Sequence, residues 1–212
     1  MATDSDLVDM LDQVPKNIFP IKAFISPSKS REKQDIFSKL ESIIIVLIKN
    51  YYKWEDAQKR GTSLCSSIAI LKTKAFETKI PASELSLYPD NLQQYCDKLA
   101  IILRICEDVI KITEPLIKQT KGLVLLNKNS NETFFRTWSI ENLQEFIEKV
   151  YEMYNKEIII KRTVTAEIAH CQNKNKLLVY AKAWEYPEYT DEDMRLQFNF
   201  LRQEIKGLIK VE

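Results

Sequence analysis

The sequence holds three glycines and one histidine among its 212 residues, and each shortage excludes a class of function. Tight turns and loops that cradle phosphate groups need glycine, because its backbone adopts positive φ at little cost. Neither a GxxxxGK[ST] nor a GxGxxG motif occurs, so a nucleotide-binding fold is not expected. The same shortage disfavours a β-rich fold and favours long helices.

The single histidine, His170, limits both catalysis and metal binding. Its neighbour Cys171 points about 100° away on a helix, so the two are not expected to form a nucleophile–base pair. Glu167 and His170 have the Glu-x-x-His spacing of di-iron bundles, but such bundles need a second copy of the motif. We therefore expect no enzyme activity, no metal and no cofactor. The histidine is expected at a helix end, beside the last carbonyls and the helix dipole.

The chain also lacks a long apolar run, a large net charge and paired cysteine motifs. Its longest purely aliphatic run, residues 43–48, is far too short to span a membrane. The formal net charge of +1 gives no whole-chain attraction to nucleic acid. The acidic first ten residues do not resemble a signal peptide. Four cysteines without CxxC spacing indicate reduced thiols in the cytosol or nucleus.

Heptad spacing of apolar residues is the strongest positive signal. Across residues 36–75 such positions alternate three and four residues apart, with a polar position at Asn50 and a helix breaker at Gly61. A second series covers residues 92–116. The two series predict long helices paired as an antiparallel hairpin. Whether the first helix is continuous through Gly61 is left open.

The region after the hairpin has a mixed composition. Pro115 is expected to kink or end the second helix. Residues 119–137 are predicted to be a linker, in which the apolar run at 123–126 is a short strand or an anchoring segment.

Shorter helical patterns fill the rest of the chain. Thr137 or Ser139 is expected to cap a third helix that runs on through Ile168, and further helices are predicted at 176–184 and 191–206. The predicted fold is all-α, a long coiled-coil-like antiparallel hairpin plus a C-terminal bundle of about three helices. The predicted regions are a flexible acidic, proline-containing tail at 1–30, the hairpin at 31–120, a linker at 121–137 and the C-terminal helical region at 138–212.

One short motif lies in the predicted tail. Ser26-Pro27-Ser28-Lys29 matches the Ser-Pro-x-Lys consensus of proline-directed cyclin-dependent kinases, and no other Ser-Pro or Thr-Pro dipeptide occurs. Ser26 is therefore a phosphorylation candidate.

A local group of basic residues beside an aromatic one leaves nucleic-acid binding open as an alternative. The group contains Lys156, Lys161, Arg162, Lys174, Lys176 and Tyr154. A solvated helix face with intrahelical ion pairs is the favoured interpretation, so direct nucleic-acid binding is not expected.

Three stretches carry a resemblance to a known family: Phe135-Arg136-Thr137-Trp138, Tyr151-Glu152-Met153-Tyr154-x-Lys156-Glu157, and Lys161-Arg162-Thr163-Val164-x-x-Glu167-Ile168-Ala169-His170. They closely resemble the cyclin-dependent kinase 2-interacting protein family. Trp184 and Arg195-Leu196 continue the match, which covers roughly residues 134–204. Looser matches lie at Trp54-Glu55, 68–72 and 120–122, whereas Pro115 and residues 4–11 depart from the family pattern.

The resemblance implies a non-enzymatic adaptor. Its implied partners are subunits of an AAA+ ATPase complex, a cyclin-dependent kinase, the replication-initiation kinase and a checkpoint kinase complex. The implied processes are ribosome large-subunit maturation, DNA replication and genome maintenance. The implied location is the nucleus, with a cytoplasmic pool. A nucleic-acid-binding accessory protein of ribosome maturation is the alternative.

Six residues are the candidate partner contacts. One helix face is expected to present polar contacts at Lys161, Arg162, Glu167 and His170. Trp138 and Trp184 are expected to be apolar anchors, with core packing as the alternative interpretation of both tryptophans.

Overall fold

A computed structural model describes residues 27–77, 88–127, 134–135, 137–190 and 192–206. These ranges contain α-helices and no β-strand, which confirms the all-α prediction. The helices are α1 (Pro27–Glu77), α2 (Leu92–Asn127), α3 (Ile140–Glu167), α4 (Lys174–Glu185) and α5 (Glu192–Lys206). Most of the predicted tail, including Ser26, lies outside the described residues, and the predicted division into regions stays a prediction.

The two longest helices pack together as the heptad series predict. Residues 38–43 of α1 lie beside residues 119–126 of α2, and residues 60–64 lie beside residues 98–102. The pairing is therefore antiparallel. The apolar seam positions are buried, among them Leu40, Leu47, Trp54, Ala57, Ile68, Leu99, Ile102, Cys106, Val109 and Leu116.

Helix α1 is continuous through Gly61. The indole ring of Trp184 lies so close that a Cβ atom at this position would overlap it. Glycine in a helix costs about 1 kcal/mol relative to alanine. At Gly61 the absence of a side chain makes room for the indole ring of Trp184, so α4 can pack closely on α1.

Helix α2 continues through Pro115 to Asn127, so of the two effects expected of the proline, a kink or an end of the helix, the end is wrong. Residues 123–126 are helical, and the strand interpretation is wrong as well. Pro115 is exposed, while Leu116 and Thr120 are buried in the seam. Since the proline faces solvent, water can hydrate the backbone carbonyl that it leaves without a helical partner. Burial of the seam side offsets the remaining cost.

Capping residues set the limits of the C-terminal helices. The Oγ atom of Ser139 accepts a hydrogen bond from the backbone N–H of Asn142 at 3.1 Å, so the predicted cap is confirmed at Ser139. Helix α3 ends at Glu167. Asn173 then caps α4 by accepting from two backbone N–H groups. The predicted break between α3 and α4 is therefore confirmed.

Aromatic contacts join the C-terminal helices to the hairpin. The ring of Tyr154 on α3 stacks on Trp54 of α1 at 4.1 Å between ring centroids. Phe198 of α5 stacks on Tyr51 at 4.1 Å and meets Phe146 of α3 edge-on at 5.0 Å. Helices α3 and α5 thus share one core with α1.

Candidate interaction site

Lys161, a predicted partner contact, is fully buried. Its Nζ atom lies 3.1 Å from Oε1 of Glu157 and donates a hydrogen bond to Oε1 of Gln58. The same ammonium group lies 4.7 Å from the ring centroid of Trp184 and 5.8 Å from that of Trp54. The outward orientation predicted for Lys161 is therefore wrong. A carboxylate, an amide oxygen and two indole faces replace the water that a surface lysine would have.

Glu157 completes this buried polar cluster. Its Oε2 atom accepts hydrogen bonds from the backbone N–H groups of Glu188 and Tyr189, both at 3.1 Å. The carboxylate thereby connects α3 to the turn between α4 and α5. The sequence shows only a Glu–Lys pair four residues apart, a spacing that is usually found on a solvated face.

Trp184, the second predicted contact that lies inside, connects α4 to α1. Its side chain is fully buried, and its Nε1 atom donates to the backbone oxygen of Gln58 at 3.2 Å. The Nε2 atom of Gln58 donates in return to the backbone oxygen of Trp184. Of the two interpretations left open for this tryptophan, core packing is correct.

Trp138 keeps part of its surface accessible. The side chain is half-buried and meets Phe146 edge-on at 5.3 Å between centroids. Together with Asn142, Lys149 and Gln197 it lines an open groove of about 300 Å³ between the start of α3 and α5. An apolar anchor role for Trp138 is compatible with this position and stays a prediction.

The other three predicted contacts are exposed. Arg162 forms an ion pair with Glu107 of α2 at 2.8 Å, and Glu167 is exposed near the end of α3. The Nδ1 atom of His170 lies 3.2 Å from the hydroxyl of Tyr88. These side chains are accessible to a partner without any rearrangement of the core. Their role in binding stays a prediction.

A lysine on α1, which sequence reasoning missed, takes the place expected for His170 at the end of α3. Lys72 is buried, and its Nζ donates to the backbone oxygen of Ala169 at 2.5 Å. Its ammonium group also lies 5.1 Å from the ring centroid of Tyr88. Burial lowers the pKa of Lys72 below its usual value. A cation beside the last carbonyls of a helix is favoured by the helix dipole.

Two core thiols, those of Cys65 and Cys106, lack the environment of a nucleophile. Burial raises the pKa of Cys65 to about 12 and that of Cys106 to about 11. Both therefore stay protonated at neutral pH. Cys106 thus acts as a small packed residue of the α2 seam.

The described ranges also bear on metal binding and on membrane insertion. No group of three or more histidine, cysteine, aspartate or glutamate side chains there could hold a metal ion. Within these residues, no helix has both the length and the apolar content needed to cross a bilayer.

The curated proteins that are similar to this chain share one name. No protein-family model matches the chain. It is 29% identical over 164 residues to the cyclin-dependent kinase 2-interacting protein of Mus musculus, covering 68% of this chain and 77% of that protein. The Homo sapiens protein of that name is 28% identical over 163 residues, with the same coverage. The Xenopus laevis protein is 27% identical over 158 residues, covering 68% and 76%.

These relatives are named as interacting proteins rather than enzymes, which together with the all-α fold supports an interaction role. The resemblance found in the sequence is thus confirmed, and the chain is similar over two thirds of its length to the cyclin-dependent kinase 2-interacting proteins.

Proposed function

We propose that this chain is a non-enzymatic adaptor that binds a cyclin-dependent kinase. The observation that carries the proposal is the similarity to relatives named for that interaction, across 68% of the chain and 77% of the relative. The structure is compatible with it, because Lys161 and Glu157 form a buried pair with each other while Arg162, Glu167 and His170 are exposed. Accessible side chains are left to make external contacts.

The proposed contact surface differs from the one predicted by sequence. It contains Trp138, Arg162, Glu167 and His170, all with accessible side chains. Lys161 and Trp184 would act from within, by holding α3 and α4 in place. Loss of either would weaken binding only through loss of structure.

A direct binding measurement tests the kinase proposal. The purified chain is titrated into cyclin-dependent kinase 2 with its cyclin, and we expect saturable binding with one site. The variant Arg162→Ala/His170→Ala should bind about tenfold more weakly, a loss of roughly 1.4 kcal/mol. Arg104→Ala, an exposed arginine on α2, is the matched control and should bind like the unchanged chain.

The possible outcomes distinguish the proposed binding of the kinase from the proposed contact surface. Absence of binding by the unchanged chain contradicts the kinase proposal itself. Unchanged affinity in the double variant contradicts only the contact surface, provided that circular dichroism shows the same helix content in all three proteins.

We extend the proposal to the assemblies that the resemblance implies. The chain would link an AAA+ ATPase complex, the replication-initiation kinase and checkpoint kinases to ribosome large-subunit maturation, DNA replication and genome maintenance. It would reside in the nucleus, with a cytoplasmic pool. Co-purification with a tagged ATPase subunit from nuclear extract tests the first link, and Lys161→Ala provides a misfolding control.

Phosphorylation of Ser26 belongs to the same proposal. Treatment with cyclin-dependent kinase followed by phosphosite mapping should label Ser26 and leave Ser26→Ala unlabelled. Lack of label at this position would contradict the modification but not the adaptor function.

The nucleic-acid alternative gains nothing from the geometry. Lys161 is buried, Arg162 is paired with Glu107, and Lys174 is paired with Glu77 at 2.9 Å. Most of the basic group is thus neutralised. Binding of RNA whose affinity falls steeply with salt would revive the alternative.

A further inference from the structure

Helix α2 has a second heptad series, on the side turned away from α3. Residues 101, 105, 108, 112, 115, 119, 122 and 126 alternate four and three positions apart. Apolar side chains occupy four of these positions, and three of them are exposed: Ile101 by 53%, Ile112 by 39% and Leu126 by 59%. Spacing of this kind lines the eight positions up along one side of the helix. Asp108, Pro115, Gln119 and Gly122 occupy the other four positions, so the apolar stripe is interrupted between Ile112 and Leu126. The buried series of α2 packs against α1 and α3, whereas Ile101, Ile112 and Leu126 of the second stripe are left exposed by the part of the chain that the structure describes.

Two grooves border this stripe, both formed by α1 and α2. The first has a volume of about 480 Å³ and is lined by Lys39 and Ile43 of α1 and by Gly122 and Leu126 of α2, among others. The second has about 300 Å³ and includes Arg60, Leu64, Lys98 and Ile101. They lie about 30 Å apart along α2, at 1.5 Å per residue. One straight helix can therefore reach both.

Gly122 leaves room for close approach by another chain. It lies within α2, and a Cβ atom added to it would meet nothing within 4 Å. No contact within the described residues requires glycine here, in contrast to Gly61 beneath Trp184. Glycine costs about 1 kcal/mol relative to alanine at such a position. A partner backbone seated close to α2 would account for it.

The charges around the grooves define the chemistry of the partner. Lys39, Arg60 and Lys98 line the two grooves, and none of the described residues that line them is acidic. Asp108, on the stripe between the grooves, is paired with Lys111 at 3.1 Å. Lys39 and Lys98 form no ion pair with the described residues, whereas Arg60 pairs with Asp56 at 3.3 Å. We propose that the α1–α2 groove binds a partner helix whose apolar stripe is flanked by glutamate or aspartate. This site is separate from the one proposed for the kinase.

A designed helix provides the probe. A synthetic peptide of four heptads, about 40 Å long, carries leucine at positions a and d and glutamate at e and g. Its like charges oppose self-pairing. Fluorescence anisotropy with the full chain should show saturable binding that weakens as salt is raised. The matched peptide with lysine at e and g should bind about tenfold more weakly or not at all.

Substitutions on α2 test whether the peptide binds in the groove. Gly122→Met should weaken binding of the glutamate peptide about tenfold while raising the melting temperature of the chain, because methionine is a better helix former in open space. Ile101→Ala and Ile112→Ala should also weaken it. Ile159→Ala is the matched control, since Ile159 is an isoleucine on α3 that is 62% exposed.

Three results would overturn the proposal. The first is failure of the glutamate peptide to bind, or equal binding of the lysine peptide. The second is full affinity in the stable Gly122→Met protein. The third is a dimer of the chain in analytical ultracentrifugation that Gly122→Met dissociates, which would assign the groove to a second copy instead.

Discussion

Gly61 and Gly122 lie in neighbouring helices but have opposite surroundings, which makes them a matched pair. At Gly61 the ring of Trp184 fills the space of a Cβ, whereas Gly122 has none of the described atoms within reach. Gly61→Ala should lower the free energy of unfolding by about 1–3 kcal/mol, because overlap in a packed core outweighs the gain in helix propensity. Gly122→Ala should raise it by about 1 kcal/mol. Urea denaturation measures both, and a gain in Gly61→Ala would contradict the close packing of α4 on α1.

The buried pair of Lys161 and Glu157 provides the second prediction at this scale. Lys161→Met should lower the free energy of unfolding by about 3–5 kcal/mol, because it leaves the carboxylate of Glu157 buried beside no cation. Adding Glu157→Gln should recover part of the loss, since the neutral amide no longer needs the ammonium group. A double-mutant cycle by chemical denaturation measures the coupling. Strictly additive losses would mean that the two side chains act independently.

The same residues show why the candidate site was only partly predictable. Ile159 is 62% exposed, whereas Lys161 two positions later is fully buried. Composition rules place such residues the other way round, since lysine is almost never buried unless paired. The partners of Lys161 come from distant parts of the chain: Gln58 on α1 and the ring of Trp184 on α4. A spacing rule within one helix cannot reveal them.

At the scale of the helix, local signals decided how well each boundary was predicted. Heptad spacing located α1 and α2, and the Ser139 side chain located the start of α3. The end of α2 was missed because a proline usually stops a helix. Burial of Leu116, Thr120 and Leu123 on the opposite side sustains this one. Whether the proline ends the helix depends on how much of the opposite side is buried. That burial comes from tertiary packing, so a rule based on local sequence cannot predict it.

The cost of Pro115 to the helix can be measured. Pro115→Ala should raise the free energy of unfolding by about 2 kcal/mol, because it restores one helical hydrogen bond and removes a steric conflict. Greater unfolded-chain entropy subtracts part of the gain. Urea denaturation gives the value, and Glu114→Ala, an exposed neighbour, should stay within about 0.5 kcal/mol. A loss in Pro115→Ala would show that α2 needs a proline bend to pack.

For the whole molecule, the buried thiols predict instability in alkali. The pKa of Cys65 is about 12 in the fold against an ordinary value of 9.0. As pH rises above 9, the unfolded chain therefore releases this proton while the folded chain keeps it. Stability is full below that pH and should fall progressively toward pH 12. The pH series of urea midpoints should be flatter in Cys65→Ala, and an equally steep series would assign the fall to other groups.

The carboxylate of Glu157 has a consequence for exchange kinetics. The backbone amides of Glu188 and Tyr189 lie in a surface turn, where amide hydrogens normally exchange rapidly with solvent. Because both donate to a fully buried carboxylate, they can exchange only when the core around Lys161 opens. Deuterium uptake by these two surface amides therefore reports the free energy of opening of the core around Lys161.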